Sequence, residues 1–464
     1  MILILCSRKW KFLAVILFVL IFSQSANARD VYVRLSNAGS YSIGITQGML
    51  AMTDAEGRLI NLGSEALIST AGNYVNIMGN SFMMPVKISG AGFLKFNGRT
   101  YRGSFWITQR GGLLNVLDVE QYLYGVLPAE VGASWPAQAL RAQAICARTY
   151  VLKQSMNRKD KGFDVVDTDA DQVYKGQGVE TAATNQAVSS TSGEILTYGK
   201  DLAYTYFHSD SGGHTADIGD VWGQKLPYLT GVPEIVNYKS PVASWTAKIP
   251  AAKIQNAIKK ITGTDIGNIT EIQVSEVDQG GRANKMTFIG TKGTKTIKAS
   301  QFRTNVDPRT LKSTMLTPSG GAFKIDNTTT PSGLVSKQKQ TQNQAQRLTF
   351  QEEQGLAQMT AEGVFTTTEL IDMLSNPNKL REYYTIGLAR SKRVTASPSK
   401  SAAPKSKYGY SIEKSGDEFI FYGRGWGHGV GMSQWGAMAM AEQGYTAEKI
   451  LMHYYPGTAI KKFK

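Results

Sequence analysis

A chain of 464 residues with 51 lysines and arginines against 36 aspartates and glutamates carries a formal net charge of +15. The basic residues are scattered, form no aromatic-interleaved patch and accompany no nucleic-acid motif, so the charge is not read as a DNA or RNA surface. Of the two cysteines, Cys6 lies in an expected leader and only Cys146 stays with the mature chain, which excludes an intramolecular disulfide.

Residues 1–28 carry Arg8, Lys9 and Lys11, an apolar run from Phe12 to Phe22, and Ala26-Asn27-Ala28, the three parts of a secretory signal. The run is short for a membrane span, although the apolar residues ahead of Arg8 leave an uncleaved anchor as the alternative. Cleavage after Ala28 would remove three cations and leave +12. Such a protein is expected in the periplasm, cell envelope or extracellular space, where a basic surface meets anionic polymers first. Membrane contact is expected only if the leader stays.

From Val31 to Val119 short β-like runs (VYVRL, YSIGI, RLINL, MMPVKI, GFLKF, RTYRGSFWITQ and LLNVLDV) are broken by Gly and Asn. Alternation and turn residues predict antiparallel sheet, a platform that supports the helical segment after it. No phosphate loop or dinucleotide fingerprint occurs.

The stretch LPAEVGASWPAQALRAQAICARTYVL, Leu127 to Leu152, places Glu130 in a Pro-containing turn before a helix that Ser134 caps and Pro136 opens. Leu140, Ala144, Ala147 and Val151 form its apolar stripe, while Gln138, Arg141 and Arg148 share a basic face. The helix N-terminus favours an ionised Glu130 and the apolar surround, including Trp135, disfavours it. Taken alone, Glu130 reads first as a cap for free N–H groups. Cys146 reads as a buried small hydrophobe. The acids Asp164, Asp167, Asp169 and Asp171 lack the ordered positions and terminal Glu of a calcium loop and read as turn caps. Thr181 to Ser192 reads as helix, and Glu194 to Tyr198 with Ala203 to Phe207 as a hairpin.

That hairpin delivers YFHSDSGGHTADIGDVWG, Tyr206 to Gly223, where His208 leaves a strand for a glycine-rich loop. Ser211 beside histidine raises a hydrolase triad, but no nucleophile elbow is present. His208 and His214 have neither cysteine nor H-E-x-x-H beside them, so no metal and no other cofactor is expected. Helix is expected over Pro250 to Lys260, with strands near Ile269 to Val277 and Lys285 to Ile289. Over 326–407 the texture shifts: Lys337 to Arg347 and Ala389 to Lys407 are polar linkers around helical stretches Thr349 to Thr360 and Thr366 to Tyr384. This reads as an inserted excursion. The globular parts on either side are then 29–119, 120–325 and 408–464.

The last motif, GRGWGHGVGMSQWGAMAMAEQGY, Gly423 to Tyr445, alternates glycine with Arg424, Trp426, His428 and Val430. Glycine costs stability in a strand, so the bare side signals close approach of backbone to something. His428, between glycines, reads as a site residue. Further helices are expected over Met432 to Ala441 and after Thr446.

The segments LYGVLPAEVGASWPAQALRAQAICARTYVL, YFHSDSGGHTADIGDVWG and FYGRGWGHGVGMSQWGAMAMAEQGYTAEKILMHYYPGT, in that order, resemble the stage II sporulation protein D family, which includes the amidase enhancers. The likeness covers about Val31 to Ile325 and Tyr408 to Ile460, and the 326–407 insertion has no counterpart in it. It implies an α+β fold of helices and mostly antiparallel sheet around a substrate cleft. It also implies a lytic transglycosylase that cuts the MurNAc to GlcNAc bond of peptidoglycan strands stripped of peptides, with Glu130 as acid and then base. On this reading His208, Ser211, His428 and Gln434 hold the sugars, and Arg141, Arg148 and Arg424 are partners for the muramic lactyl carboxylate. Some relatives bind zinc through His and Cys, and here cysteine is missing near His208 and His214. The alternative the resemblance implies is a non-catalytic wall-binding protein whose partner is a cell-wall amidase.

Overall fold

The structure, a computed structural model, describes residues 29–317, 356, 373, 379–385, 410 and 412–463. The leader, both polar linkers and most of the helical stretches between them lie outside the described residues. The chain divides into two compact units, Met1–Gly321 with Ser406–Lys464, and Ala322–Lys405. Every motif of the sequence falls in the first.

Residues 30–118 fold as β-sheet because apolar side chains recur at every second position. Val31 and Val33, Ala66 and Ile68, Val86 and Ile88, and Phe105 and Ile107 are all buried, while their neighbours other than Ser104 are more exposed. A seven-stranded sheet runs in the order Val165–Val166, Asp30–Ser36, Gly112–Asp118, Ser104–Thr108, Val86–Ser89, Leu50–Thr53, Leu59–Gly63. A six-stranded sheet runs Arg99–Tyr101, Leu94–Phe96, Ser40–Ile45, Glu65–Ala71, Tyr74–Ile77, Asn80–Met83. Neighbours are antiparallel except Val33 and Arg34, which pair in parallel with Val165 and Val166. The strands Leu50–Thr53, Glu65–Ala71, Tyr74–Ile77 and Asn80–Met83 were not expected, because three of them are only four residues long and Ser and Thr interrupt the apolar pattern of Glu65–Ala71.

The helix Ala137–Asn157 lies between two cores. Leu140, Ala144, Ala147 and Val151 pack with the β platform, and Ala142, Ile145 and Cys146 pack with the C-terminal helices Gln434–Glu442 and Ala447–Tyr454. A third core, around Ile258, Phe288, Phe302 and Phe421, is built by the helices Ala251–Thr262 and Ala299–Val306 with two three-stranded sheets. In one of these Trp245–Pro250 pairs with Glu418–Gly423. The result is an α+β fold of mostly antiparallel sheets. No helix among the described residues is long and apolar enough to cross a membrane.

Three local expectations need correction. Glu130 is not in a turn before a helix; it is the last residue of the helix Val119–Glu130, which Asp118 caps by accepting from Glu120 and Gln121 N–H. Pro128 lies inside that helix, and burial of Tyr122, Leu123, Val126 and Leu127 outweighs the hydrogen bond the proline cannot donate. Ser134 caps nothing, since the next helix starts at Ala137 with Pro136 at its cap position and no side-chain cap bond. The strand that pairs with Glu194–Tyr198 in the expected hairpin is Asp201–Leu202, just before the expected arm Ala203 to Phe207. Phe207 and His208 instead pair in parallel with Met432 and Ser433.

Candidate active site

Glu130 ends a helix and faces two donors from distant segments. The Val173 N–H donates to its Oε1 at 2.7 Å, and Gln434 Nε2 approaches its Oε2 at 3.5 Å. Val173 belongs to a loop that is fastened on each side: Tyr122 donates to the Gln172 side chain at 3.2 Å, and Arg158 forks onto Asp171 at 2.6 and 2.7 Å while Tyr150 donates to the same carboxylate. Asp171, one of the aspartates read as turn caps, thus helps to build the mount of Glu130. Gln434 opens the helix Gln434–Glu442, whose cap Ser433 is the parallel partner of His208. A mainchain ladder therefore ties the Y-F-H motif to the residue beside Glu130.

Burial raises the Glu130 pKa above the ordinary carboxylate value, Asp169 raises it further, and the bonds from Val173 and Gln434 with the charge of Lys175 work against both. The carbonyls at a helix C-terminus carry partial negative charge, so this helix also favours the protonated form, the reverse of the effect expected for an N-terminal position. At 3.5 Å the Gln434 bond is at the outer limit of a hydrogen bond and leaves Oε2 able to carry a proton. The side chain keeps part of its surface open. Trp435, next to Gln434, packs on Trp135 at 5.3 Å between ring centres.

His208 and His428 come together, with ring centres 5.5 Å apart. His208 is buried, its Nδ1 against the Val430 carbonyl at 3.2 Å and its Nε2 without a partner among the described residues. His428 is half-buried, accepts from Val430 N–H at 3.0 Å and lies 5.0 Å from the Trp222 ring. Burial first, then the Arg282 and Arg303 charges, holds both imidazoles neutral, His208 far below its usual range with the neighbouring His428 adding to the effect, and His428 down to about 3. They can donate or accept hydrogen bonds but do not serve as cations.

The glycine alternation has an internal cause. A Cβ on Gly427 would stand 2.6 Å from His208 Cβ, and one on Gly429 would stand 2.8 Å from the Arg282 guanidinium carbon; both glycines have positive φ, 125° and 87°. At Gly427 and Gly429 the groups that approach the bare backbone are the chain's own histidine and arginine, and at Gly425 and Gly431 they are the Asp210 and Tyr206 carbonyls.

The remaining expected site residues are placed differently. Arg148 is fully buried and forks onto Glu120 at 2.6 and 2.8 Å, with further bonds to the Glu194 and Val188 carbonyls, so it holds the fold together and cannot reach a ligand. The expected basic face of that helix therefore turns inward at Arg148. Arg141 donates to Ser190 at 3.0 Å. Ser211 is buried, with its hydroxyl donating to Glu234 at 2.6 Å and accepting from Gly213 N–H. Arg424 is half-buried, and Tyr410, Asp210 and Tyr238 offset the burial that lowers its pKa. Sequence reasoning missed Glu234, a second carboxylate raised by burial and bonded by Ser211 and Tyr454. It also missed Arg282, which clamps the Ser211 and His214 carbonyls. Neither lies in a recognisable motif.

The residues do not fit zinc. Among the described residues no three His, Cys, Asp or Glu side chains converge as a ligand set. His214 Nδ1 is engaged by the Thr215 carbonyl at 2.7 Å, and burial pushes the Cys146 thiol up to about 12, where it is no thiolate ligand.

Comparison with known proteins agrees with this arrangement of motifs. Residues 108–198, which include the helix of Glu130 and the one after it, match the family described as Stage II sporulation protein. The chain is 25% identical over 363 residues to Stage II sporulation protein D of Bacillus subtilis, covering 75% of each chain. It is 25% identical over 434 residues to the Amidase enhancer of Bacillus subtilis, covering 92% of this chain but about half, 51%, of that relative. It is also 27% identical over 368 residues to an uncharacterized protein of Brachyspira hyodysenteriae, covering 78% of this chain and 73% of the relative. The chain is thus similar, over most of its length, to Stage II sporulation protein D and to the Amidase enhancer, and its Glu130 helix lies inside the segment that matches the stage II sporulation protein family.

Proposed function

We propose that the protein is an exported lytic transglycosylase that cleaves the MurNAc to GlcNAc bond of peptide-stripped peptidoglycan strands and leaves 1,6-anhydro-MurNAc ends. The observation that carries the reading is Glu130: one partly open carboxylate with a raised pKa, held by a fastened loop and by the last glycine-rich motif. Ordinary glycosidases need two carboxylates because water or the protein supplies the nucleophile. Here the muramic 6-hydroxyl supplies it, and intramolecular attack gains from proximity.

In the forward step the Glu130 carboxylic acid protonates the glycosidic oxygen, which leaves with the GlcNAc residue as its 4-hydroxyl. The carboxylate then takes the proton of the 6-hydroxyl as that oxygen bonds to C1, closing the anhydro ring and restoring the acid. No water is consumed. A raised pKa serves the first half and the Val173 and Gln434 bonds serve the second, when the group is charged.

The second reading is a wall-binding stimulator of an amidase, favoured by the relative named Amidase enhancer, which matches over 92% of this chain. Digestion of amidase-treated peptidoglycan with the mature protein and with Glu130→Gln separates the two. Anhydro-muramic products from the parent and none from the variant support catalysis. No sugar release with faster amidase turnover supports the stimulator.

A further inference from the structure

The segment that leads from Asp201–Leu202 to His208 carries aromatic rings at alternate positions. Tyr204 and Tyr206 stack almost parallel, 5.7 Å between centres and 9° between planes, while Thr205 between them and Ala203 before them are buried. Trp222 stands edge-on to Tyr206 at 4.8 Å and against His428 at 5.0 Å. It is 44% exposed, and both tyrosines are half-exposed, although Ile218 on the same short helix already fills the core beneath. Tyr204 and Tyr206 pack one side on the core, and the exposed ring of Trp222 beside them marks a ligand surface.

The row continues toward Glu130. The Tyr150 ring is 6.1 Å from Tyr206, and its hydroxyl donates to Asp171, two residues before the Val173 N–H that holds the acid. At the far end polar groups join the rings: Lys153 Nζ lies 4.7 Å over Tyr204, and Asn157 donates to the Tyr204 hydroxyl at 3.3 Å. Ring faces edged by amide and ammonium donors match a pyranose, which offers C–H groups on its faces and hydroxyl, acetamido or carboxylate groups on its rim.

We propose that Tyr204, Tyr206 and Trp222 form a rail that binds N-acetylated aminosugar rings of the glycan strand beyond the bond facing Glu130, with Lys153 beside the carboxylate of a peptide-free muramic residue. The proposal rests on the glycan reading of Glu130. It makes the protein prefer long strands to short fragments.

The test uses the mature protein carrying Glu130→Gln, so that nothing turns over, and measures binding of a trisaccharide and a hexasaccharide of N-acetylglucosamine and of amidase-stripped strands. Trp222→Ala and Tyr204→Ala should each weaken the hexasaccharide and the strands about fivefold to tenfold, as loss of an aromatic contact does, with the trisaccharide changed less than twofold; Trp222→Phe should restore most of the loss. Equal hexasaccharide affinity in folded variants, as read by circular dichroism, overturns the rail and leaves the Glu130 reading intact when the parent enzyme still makes anhydro products. Absence of glycan binding at any length overturns both. Unchanged glycan binding with lost stimulation of an amidase would assign the rings to a protein partner and also overturn the rail.

Discussion

Gln434 Nε2 lies 3.5 Å from Glu130 Oε2, a contact between residues 304 positions apart that joins the first motif of the sequence to the last. It stabilises the carboxylate over the acid, so its removal raises the Glu130 pKa further. We expect Gln434→Ala to lower kcat on stripped strands roughly tenfold through looser positioning. The limb of the pH profile where activity falls as Glu130 ionises should move to higher pH. A kcat loss with an unmoved limb would remove Gln434 from contact with the acid.

Glu130 also carries a stability cost with a definite sign. Its folded pKa is raised, so the native state favours the protonated form: the full native contribution is present below the ordinary carboxylate value and is lost as pH rises through the folded pKa. Glu130→Gln should therefore raise Tm at neutral pH by on the order of a few degrees. That gain should shrink toward zero below the unfolded pKa, and scanning calorimetry across this range checks it.

The histidine pair has the opposite dependence. Both imidazoles are held below their usual value, so protons bind mainly to the unfolded chain between the ordinary histidine range and about 3, and stability should fall as pH drops through that window. His428→Gln should flatten the fall in urea midpoint between neutral and mildly acid pH. An equal slope in parent and variant would contradict the burial of this ring.

Gly427 and Gly429 test the packing account of the glycine stripe. Each Ala variant must hold a side chain at positive φ and force it into His208 or Arg282. Strain and overpacking together predict a loss of roughly 2–4 kcal/mol in urea unfolding. A nearly neutral Gly429→Ala would show that Arg282 is not held against this backbone.

Arg148 and Glu120 separate architecture from binding. Removing Glu120 as Glu120→Ala leaves a fully buried guanidinium without its carboxylate, and breaking such a pair costs about 3–5 kcal/mol. The affinity of the surviving folded protein for stripped strands should not change. A selective loss of affinity at full stability would return Arg148 to the substrate.

Local pattern made much of this legible. Period-two alternation exposed the β platform at Val31 and Val33, Thr181 and Thr446 marked helix starts, and the PAE segment drew attention to Glu130. It misjudged residues whose role depends on their packing partners. Pro128 read as a turn because its penalty is local, while the burial that overrides it comes from Tyr122 and Val126 meeting a distant sheet. Arg148 read as an exposed cation because Glu120, 28 residues away, is its partner only after two helices pack.

The sequence by itself determined most element types and singled out Glu130 as the candidate acid, since these rest on spacing and on residue chemistry. Only the tertiary structure decided that this acid closes a helix, that Val173 and Gln434 hold it, that Ser211 and Arg148 turn inward, and that the glycines make room for His208 and Arg282. Each of these depends on contacts between segments far apart in the chain, which no local spacing encodes.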